Sequence, residues 1–109
     1  MAIYAPDVVA EFPYAPEGHT SRLEGPEAIV RFLGKIPTFA EGFSLGEPTI
    51  SPTADGFVAE YHGDATFKES GRPYGQDYIV VFRLQEGRIA SIREYYDPLR
   101  VLRAMGEID

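Results

Sequence analysis

Glu60, His62 and Asp64 alternate along the segment Phe57 to Lys68. In an extended chain that spacing puts the three side chains on one face, as metal ligands would require. The other parity of the same segment carries Phe57, Ala59, Tyr61, Gly63, Ala65 and Phe67, an aromatic face that can fill a core or line a pocket. The polar face is therefore expected to be a wet or dimer-contacting sheet surface, since antiparallel sheets commonly keep one face in water, and no metal site is expected. No Ser-His-Asp order, phosphate-binding glycine loop or two-histidine metal motif occurs. The lack of cysteine excludes disulfides, thiolate nucleophiles and Cys-ligated zinc. His19 sits in the Pro- and Gly-rich loop Ala15 to Gly25, where with Arg22 it could overhang a cavity mouth, although simple exposure is the plainer reading. What remains for chemistry is carboxyl and phenol groups, and no cofactor is expected.

The chain of 109 residues, 44% apolar and 25% charged, reads as a single globular domain over 1–109 with surface to spare, so a cavity would compete with stability and self-association would ease the strain. No stretch is long and apolar enough to cross a bilayer. A net charge of −7 without any Lys/Arg run opposes nucleic-acid binding. No charged-then-apolar leader is seen before Ala5, so the cytoplasm is the default compartment. Seven Tyr and seven Phe are the unusual part of the composition.

The elements that must position these rings follow from periodicity. Val8 to Tyr14 reads as a first strand with Val8, Ala10, Phe12 and Tyr14 on one face, and Pro13 and Pro16 place it at a sheet edge. Gly25-Pro26-Glu27 starts a helix with Ala28, Ile29, Phe32, Leu33 and Ile36 at helical spacing, closed by Pro37. Leu45 to Ser51 is a weaker strand carrying Pro48. Phe57 to Lys68, Tyr78 to Leu84 and Arg88 to Tyr96 are strands joined by hairpin-length loops, an antiparallel meander. Asp97 caps and Pro98 opens a last helix, with Leu99, Val101, Leu102 and Met105 apolar and Gly106 ending it. The fold class is α+β, one curved antiparallel sheet with helices over one face.

This order of elements, with "YAPDVVAEFPYAP", "RLEGPEAIVRFL" and "GRIASIREYYDPLRVLRAMG", resembles the nuclear transport factor 2-like superfamily, in its SnoaL-like and ketosteroid-isomerase-like branch. The run Ile92 to Pro98 into Leu102 to Gly106 also resembles the phenazine-biosynthesis A/B proteins. The resemblance implies a cone-shaped fold around a pocket for a small hydrophobic or aromatic molecule, and a homodimer paired through the outer sheet face. Members include isomerases, polyketide cyclases and proteins without catalysis, so fold alone does not fix function. Two departures stand out. Relatives begin with helices that lid the cone, whereas here a strand starts within ten residues of Met1. The lid is then absent, supplied by a partner chain, or lost to truncation. Ketosteroid isomerases carry a proton-shuttling aspartate where Phe12 precedes Pro13, and a phenyl ring moves no proton.

The register of the family puts Phe12, Tyr14, Tyr61, Ala65, Phe67, Tyr78, Val80, Ile92, Glu94 and Tyr96 into the cavity, with Phe32 and Ile36 of the helix also binding ligand. Glu94 is then the one acid among rings. Lost hydration would favour its neutral form and make it a general acid near neutral pH, as the glutamate of a comparable "REF" segment is thought to act in the phenazine proteins. Tyr78 and Tyr96 would donate hydrogen bonds to a substrate oxygen. Against this stands a structural reading in which Glu94 pairs with an arginine and the tyrosines are core. Three functions follow: a cofactor-free isomerase or cyclase acting on a polyketide-like molecule, a non-catalytic binding protein, or a dimeric module whose cavity has collapsed.

Overall fold

The computed structural model describes residues 3–108. Strand β1 (Tyr4–Glu11) is followed by β2 (Arg22–Glu24), helix α1 (Pro26–Phe39), β3 (Ala40–Leu45), β4 (Thr49–Thr53), β5 (Gly56–Phe67), β6 (Pro73–Gln85), β7 (Arg88–Tyr95) and α2 (Pro98–Met105). All seven strands join one sheet in the order β2-β1-β7-β6-β5-β3, with β4 also paired to β5. The sheet is curved and unclosed, ending at β2 and β3. Its centre is the expected antiparallel meander, with Tyr61 opposite Tyr78 and Val80 opposite Glu94. β1 departs from the meander by running parallel to β7. No helix among the described residues is long and apolar enough to cross a membrane.

Several expected boundaries shift, each for a local reason. β1 begins at Tyr4 and ends at Glu11 rather than running to Tyr14, and it lies inside the sheet, between β2 and β7. Pro13 and Pro16 fall beyond its end, and Pro6 sits where the register against β7 slips between Tyr4 and Val9, a bulge that absorbs the missing N–H. Pro37 does not close α1 but lies inside its last turn. The ammonium of Lys68 donates to the Pro37 carbonyl at 2.8 Å, and the Lys68 backbone N–H donates to the Phe39 carbonyl at 2.9 Å, pinning the helix end to β5. The expected strand Leu45 to Ser51 overlaps only the last residue of β3 and Thr49 to Ser51 of β4, with Gly46 to Pro48 outside both. β3 then pairs with the far half of β5 and β4 with the near half.

α2 follows its sequence signals closely. The Asp97 carboxylate accepts from the Leu99 N–H at 2.9 Å, Pro98 occupies the first turn, and Gly106 adopts φ 83°, the left-handed conformation that lets Glu107 N–H reach the Leu102 carbonyl at 2.9 Å.

Among the described residues ten apolar side chains are buried, and six are alanines: Ala5, Ala10, Ala40, Ala59, Ala65 and Ala104. The other four are Val8, Phe12, Ile29 and Val80, of which Val8 and Ile29 form a small cluster with Ala10 where α1 crosses β1. Bulky rings are thus spent elsewhere: they stand around a hollow instead of filling it.

Candidate functional site: an aromatic cavity around Glu94

The inner sheet face, α1 and α2 enclose a cavity of two adjoining lobes of about 590 and 550 Å³. Phe12, Phe32, Ile36, Phe43, Tyr74, Tyr78 and Glu94 line both. Strand alternation supplies most of the wall. β5 gives Tyr61 and Ala65, β6 gives Val80, and β7 gives Ile92 and Glu94, with Tyr96 just past its end. Phe67 lines the first lobe with Val101 and Met105 of α2. A hollow of this volume does not fit a collapsed cavity.

The rings are mutually braced. Tyr61 stacks on Tyr78 at 5.1 Å between centroids, Tyr96 meets Tyr78 edge-on at 6.5 Å, and Phe12 tilts against Phe32 at 5.4 Å. Phe67 contacts both Tyr74 (5.0 Å) and Phe39 (5.9 Å). Such pairs prefer offset or edge geometries and hold their rings in fixed orientation.

One expected lining residue is elsewhere. Tyr14 is 60% exposed and lines neither lobe; its ring packs edge-on against Tyr95 at 5.5 Å. The strand ends at Glu11 and the chain turns, with Ala15 N–H donating to the Phe12 carbonyl at 3.0 Å, so the alternation that aims Ala10 and Phe12 inward stops before Tyr14. Arg22 also lies away from the cavity mouth, paired with Glu11 at 3.2 Å and Glu24 at 3.0 Å. His19 does line the first lobe, its imidazole 3.6 Å from the Glu107 carboxylate.

Glu94 forms no ion pair among the described residues. Arg93, its neighbour, points to the other face, its guanidinium 4.0 Å from Glu11 and 6.0 Å from the Tyr95 ring centre. Burial, with no partner to offset it, pushes the Glu94 carboxyl up to about 7. Burial first, and then the nearby Glu94 charge, pushes the Tyr61 phenol up to about 12. Tyr96 likewise rises to about 12, by burial and then by Tyr74 and Glu94. Burial also raises Tyr78 and Tyr74, with Glu94 adding to both. Near pH 7 the four phenols keep their protons and can donate, while Glu94 can give or take one.

Phe43, which lines both lobes, Tyr74 and Gln76 are among the residues that escaped the sequence reading. Tyr74 shares a hydroxyl–hydroxyl hydrogen bond of 3.1 Å with Tyr78. Gln76 is fully buried, and its amide group is saturated. Its oxygen accepts from the N–H groups of Asp77 at 3.1 Å and Asp97 at 3.0 Å, and its nitrogen donates to the Asp97 carbonyl at 2.8 Å and the Tyr74 hydroxyl at 3.1 Å. The available signal was the period-two run Tyr74, Gln76, Tyr78, Val80, Phe82, which extends β6 backward past Gly75.

On the outer face, His62 lies between Asp77 (Nδ1 to Oδ1, 2.8 Å) and Asp64 (Nε2 to Oδ1, 3.0 Å), and Arg100 donates to Asp77 at 2.8 Å. Both ring nitrogens are thus committed to carboxylates; Glu60 and His62 line neither lobe, and Asp64 borders the second.

Residues 1–92 match the SnoaL-like domain family. The chain belongs to that family. Within it, the SnoaL-like chain is 40% identical over 102 residues to YesE, an uncharacterized protein of Bacillus subtilis strain 168, covering 92% of this chain and 69% of YesE. It is 33% identical over 114 residues to PA3332, an uncharacterized PhzA/B-like protein of Pseudomonas aeruginosa, covering 98% of this chain and 77% of that one. A solved Bacillus subtilis structure, provisionally assigned as an isomerase, superposes with a TM-score of 0.87 at 37% identity, covering 98% of this chain and 78% of its own. The fold of this chain is shared with an NTF2-like protein of Burkholderia xenovorans, which superposes with a TM-score of 0.84 at 23% identity, covering 94% of this chain and 78% of its own.

Proposed function

We propose that this SnoaL-like chain binds a compact hydrophobic or aromatic, polyketide-like molecule in its two-lobed cavity and moves a proton on it without a cofactor, as an isomerase or cyclase. Glu94 is the proton-exchanging group, and Tyr78 and Tyr96 orient the substrate oxygen. The observation that carries this reading is Glu94 itself: an unpaired carboxyl group among rings, pushed up to about 7, where a general acid and its conjugate base are both populated at neutral pH. Phe12, Phe32, Ile36, Tyr61, Ala65, Phe67, Val80 and Ile92 shape the rest of the binding surface. Residues 1–109 act as one domain, in the cytoplasm, and pair with a second copy through the outer sheet face, where Ile79 is 46% exposed.

Ligands of other proteins with this fold span different chemistries. TerC was co-crystallised with polyporic acid, and a Catenulispora acidiphila protein forms a complex with trimethylamine. At 19% and 17% identity to this chain, these share its fold only.

A second reading is a binding protein without chemistry, favoured by Phe12, an inert ring where ketosteroid isomerases hold their catalytic aspartate. One experiment separates the two. The small molecule that co-purifies is identified by mass spectrometry and returned to wild type and Glu94→Gln. Catalysis requires turnover by the wild type, lost in the variant with binding retained. A ligand bound unaltered by both proteins supports sequestration.

A further inference from the structure

Formal charge in the cavity wall has one sign. Among the described residues no lysine or arginine lines either lobe, whereas Glu94 lines both, Glu69 the first and Asp64 the second. Three cations close in sequence to lining residues are committed to other partners. Arg72 donates to the Arg103 carbonyl at 2.8 Å, Arg100 to Asp77 at 2.8 Å, and Lys68 to the Pro37 carbonyl at 2.8 Å. His19, which also lines the first lobe, faces Glu107. A ligand carboxylate or phosphate would leave water with no cation to meet it and with Glu94 opposing it.

The surroundings of Glu94 suit the opposite charge. The stacked pair Tyr61 and Tyr78, with Tyr96 edge-on to it, supplies ring faces, whose quadrupole attracts cations. The tyrosine hydroxyls can accept from an ammonium N–H as readily as they can donate to a carboxylate.

We propose that the molecule taken by this cavity carries a basic nitrogen on its apolar skeleton, an amine or imine rather than a carboxylate, with the nitrogen seated against Glu94 among Tyr61, Tyr78 and Tyr96. The proposal rests on the reading of Glu94 as the functional group of the cavity, and it adds the chemical class of the ligand. When neutral Glu94 meets a free amine, its O–H bond breaks and an N–H bond forms. The resulting ammonium–carboxylate pair removes the cost of an unpartnered buried charge. An amine already protonated requires Glu94 to release its proton to solvent first. Its affinity therefore rises with pH as Glu94 ionises. The titratable groups that line the lobes with Glu94 are Tyr4 from β1, Tyr61 and Asp64 from β5, Tyr74 and Tyr78 from β6 and Tyr96 beyond β7, with Glu69 and His19 in the first lobe. Phe12, just beyond β1, and Phe32 and Ile36 of α1 carry no charge.

Three probes on one skeleton test this: 1-naphthylmethylamine, 1-naphthylmethanol and 1-naphthoate, titrated calorimetrically into the full chain at pH 8.0 and 5.5. At pH 8.0 the amine is expected to bind about tenfold more tightly than the alcohol, and the carboxylate most weakly. The amine-to-alcohol ratio is expected to shrink at pH 5.5, and in Glu94→Gln at pH 8.0 it should fall to near one. Equal affinities in the wild type, strongest binding of the carboxylate, an amine advantage that survives in Glu94→Gln, or no binding of any probe would each overturn the proposal. If the variant failed to fold, the wild-type ratio at the two pH values would decide, and a ratio that does not change with pH would overturn it. Loss of the amine preference leaves the acid–base reading intact, because that reading is judged by turnover. An amine preference without turnover removes the catalysis and keeps the ligand class.

Discussion

The hydroxyls of Tyr74 and Tyr78 lie 3.1 Å apart although the two residues are four positions apart along one strand. In a flat strand that separation is about 13 Å along the chain, so the contact exists because β6 bends and the two side chains lean together over its concave side. Gln76, between them, turns its amide to the Asp97 backbone and one N–H to the Tyr74 hydroxyl. Sheet curvature, the junction of β7 with α2, and the tyrosine pair beside Glu94 are thereby tied together.

That junction should be sensitive to substitution. Gln76→Leu strips partners from the Asp97 N–H and carbonyl and from Tyr74, and is expected to cost about 3 kcal/mol of stability. Tyr74→Phe removes only hydroxyl bonds and should cost about 1 kcal/mol. Urea denaturation of the two variants measures both; a Gln76→Leu variant as stable as wild type would contradict the account.

Gly56 pairs with Arg83 where the β4–β5 hairpin folds back, and a Cβ there would overlap the Phe82 carbonyl oxygen. Since the obstacle is backbone, Gly56→Ala must move a strand. It is expected to lose about 3 kcal/mol, read as a lowered melting temperature, while Gly71→Ala, with open space around its Cβ but φ 71°, should lose about 1 kcal/mol.

Glu94 makes stability depend on pH with a definite sign. Its folded pKa, about 7, lies above its ordinary 4.5. Between those values the native state holds more protons than the unfolded state, so stability falls as pH rises. The penalty is complete above pH 7 and absent below about 4.5. Glu94→Gln removes the ionising group and is expected to be more stable than wild type at pH 8 by up to about 3 kcal/mol. The advantage should vanish toward pH 4.5. Chemical denaturation at both pH values checks it, and a gain that does not change with pH would speak against a buried ionising carboxyl.

His62 behaves oppositely. Its two ring nitrogens face Asp77 and Asp64, an arrangement fully bonded only when both carry protons. The hydrogen bond to Asp77, then that to Asp64, raises its pKa above 6.5. The stabilisation is complete below 6.5 and is lost as pH rises through the folded value. A proton NMR titration of the His62 ring should give a midpoint above 6.5 that drops in Asp77→Asn more than in Asp64→Asn; an unchanged midpoint in both would contradict the pairing.

How far the sequence could be read depended on what interrupts its patterns. The β5 face of Tyr61 and Ala65, the antiparallel meander of β5 to β7, and both caps of α2 follow from alternation, from hairpin-length loops and from Asp97, Pro98 and Gly106. β6 was cut short because Arg72-Pro73 and Gly75 look like a turn. Gly75 instead leaves room for the Asp64 carboxylate, whose Oδ1 would sit 3.1 Å from an added Cβ. β3 was lost because Pro37 imitates a helix stop, and only Lys68, 31 residues away, reveals that it is tolerated. Tyr14 was misplaced because alternation continues on paper past a turn that backbone hydrogen bonding decides. Glu94 was found from its surrounding family pattern, but its lack of a cationic partner could be seen only in three dimensions.

The central claim is that Glu94 holds its proton until neutral pH. Carbon NMR of side-chain carboxyls, with Glu94 assigned by its disappearance in Glu94→Gln, measures this directly in the ligand-free protein. The account predicts a midpoint of about 7; a midpoint near 4.5, the ordinary value for a solvated glutamate, would contradict it.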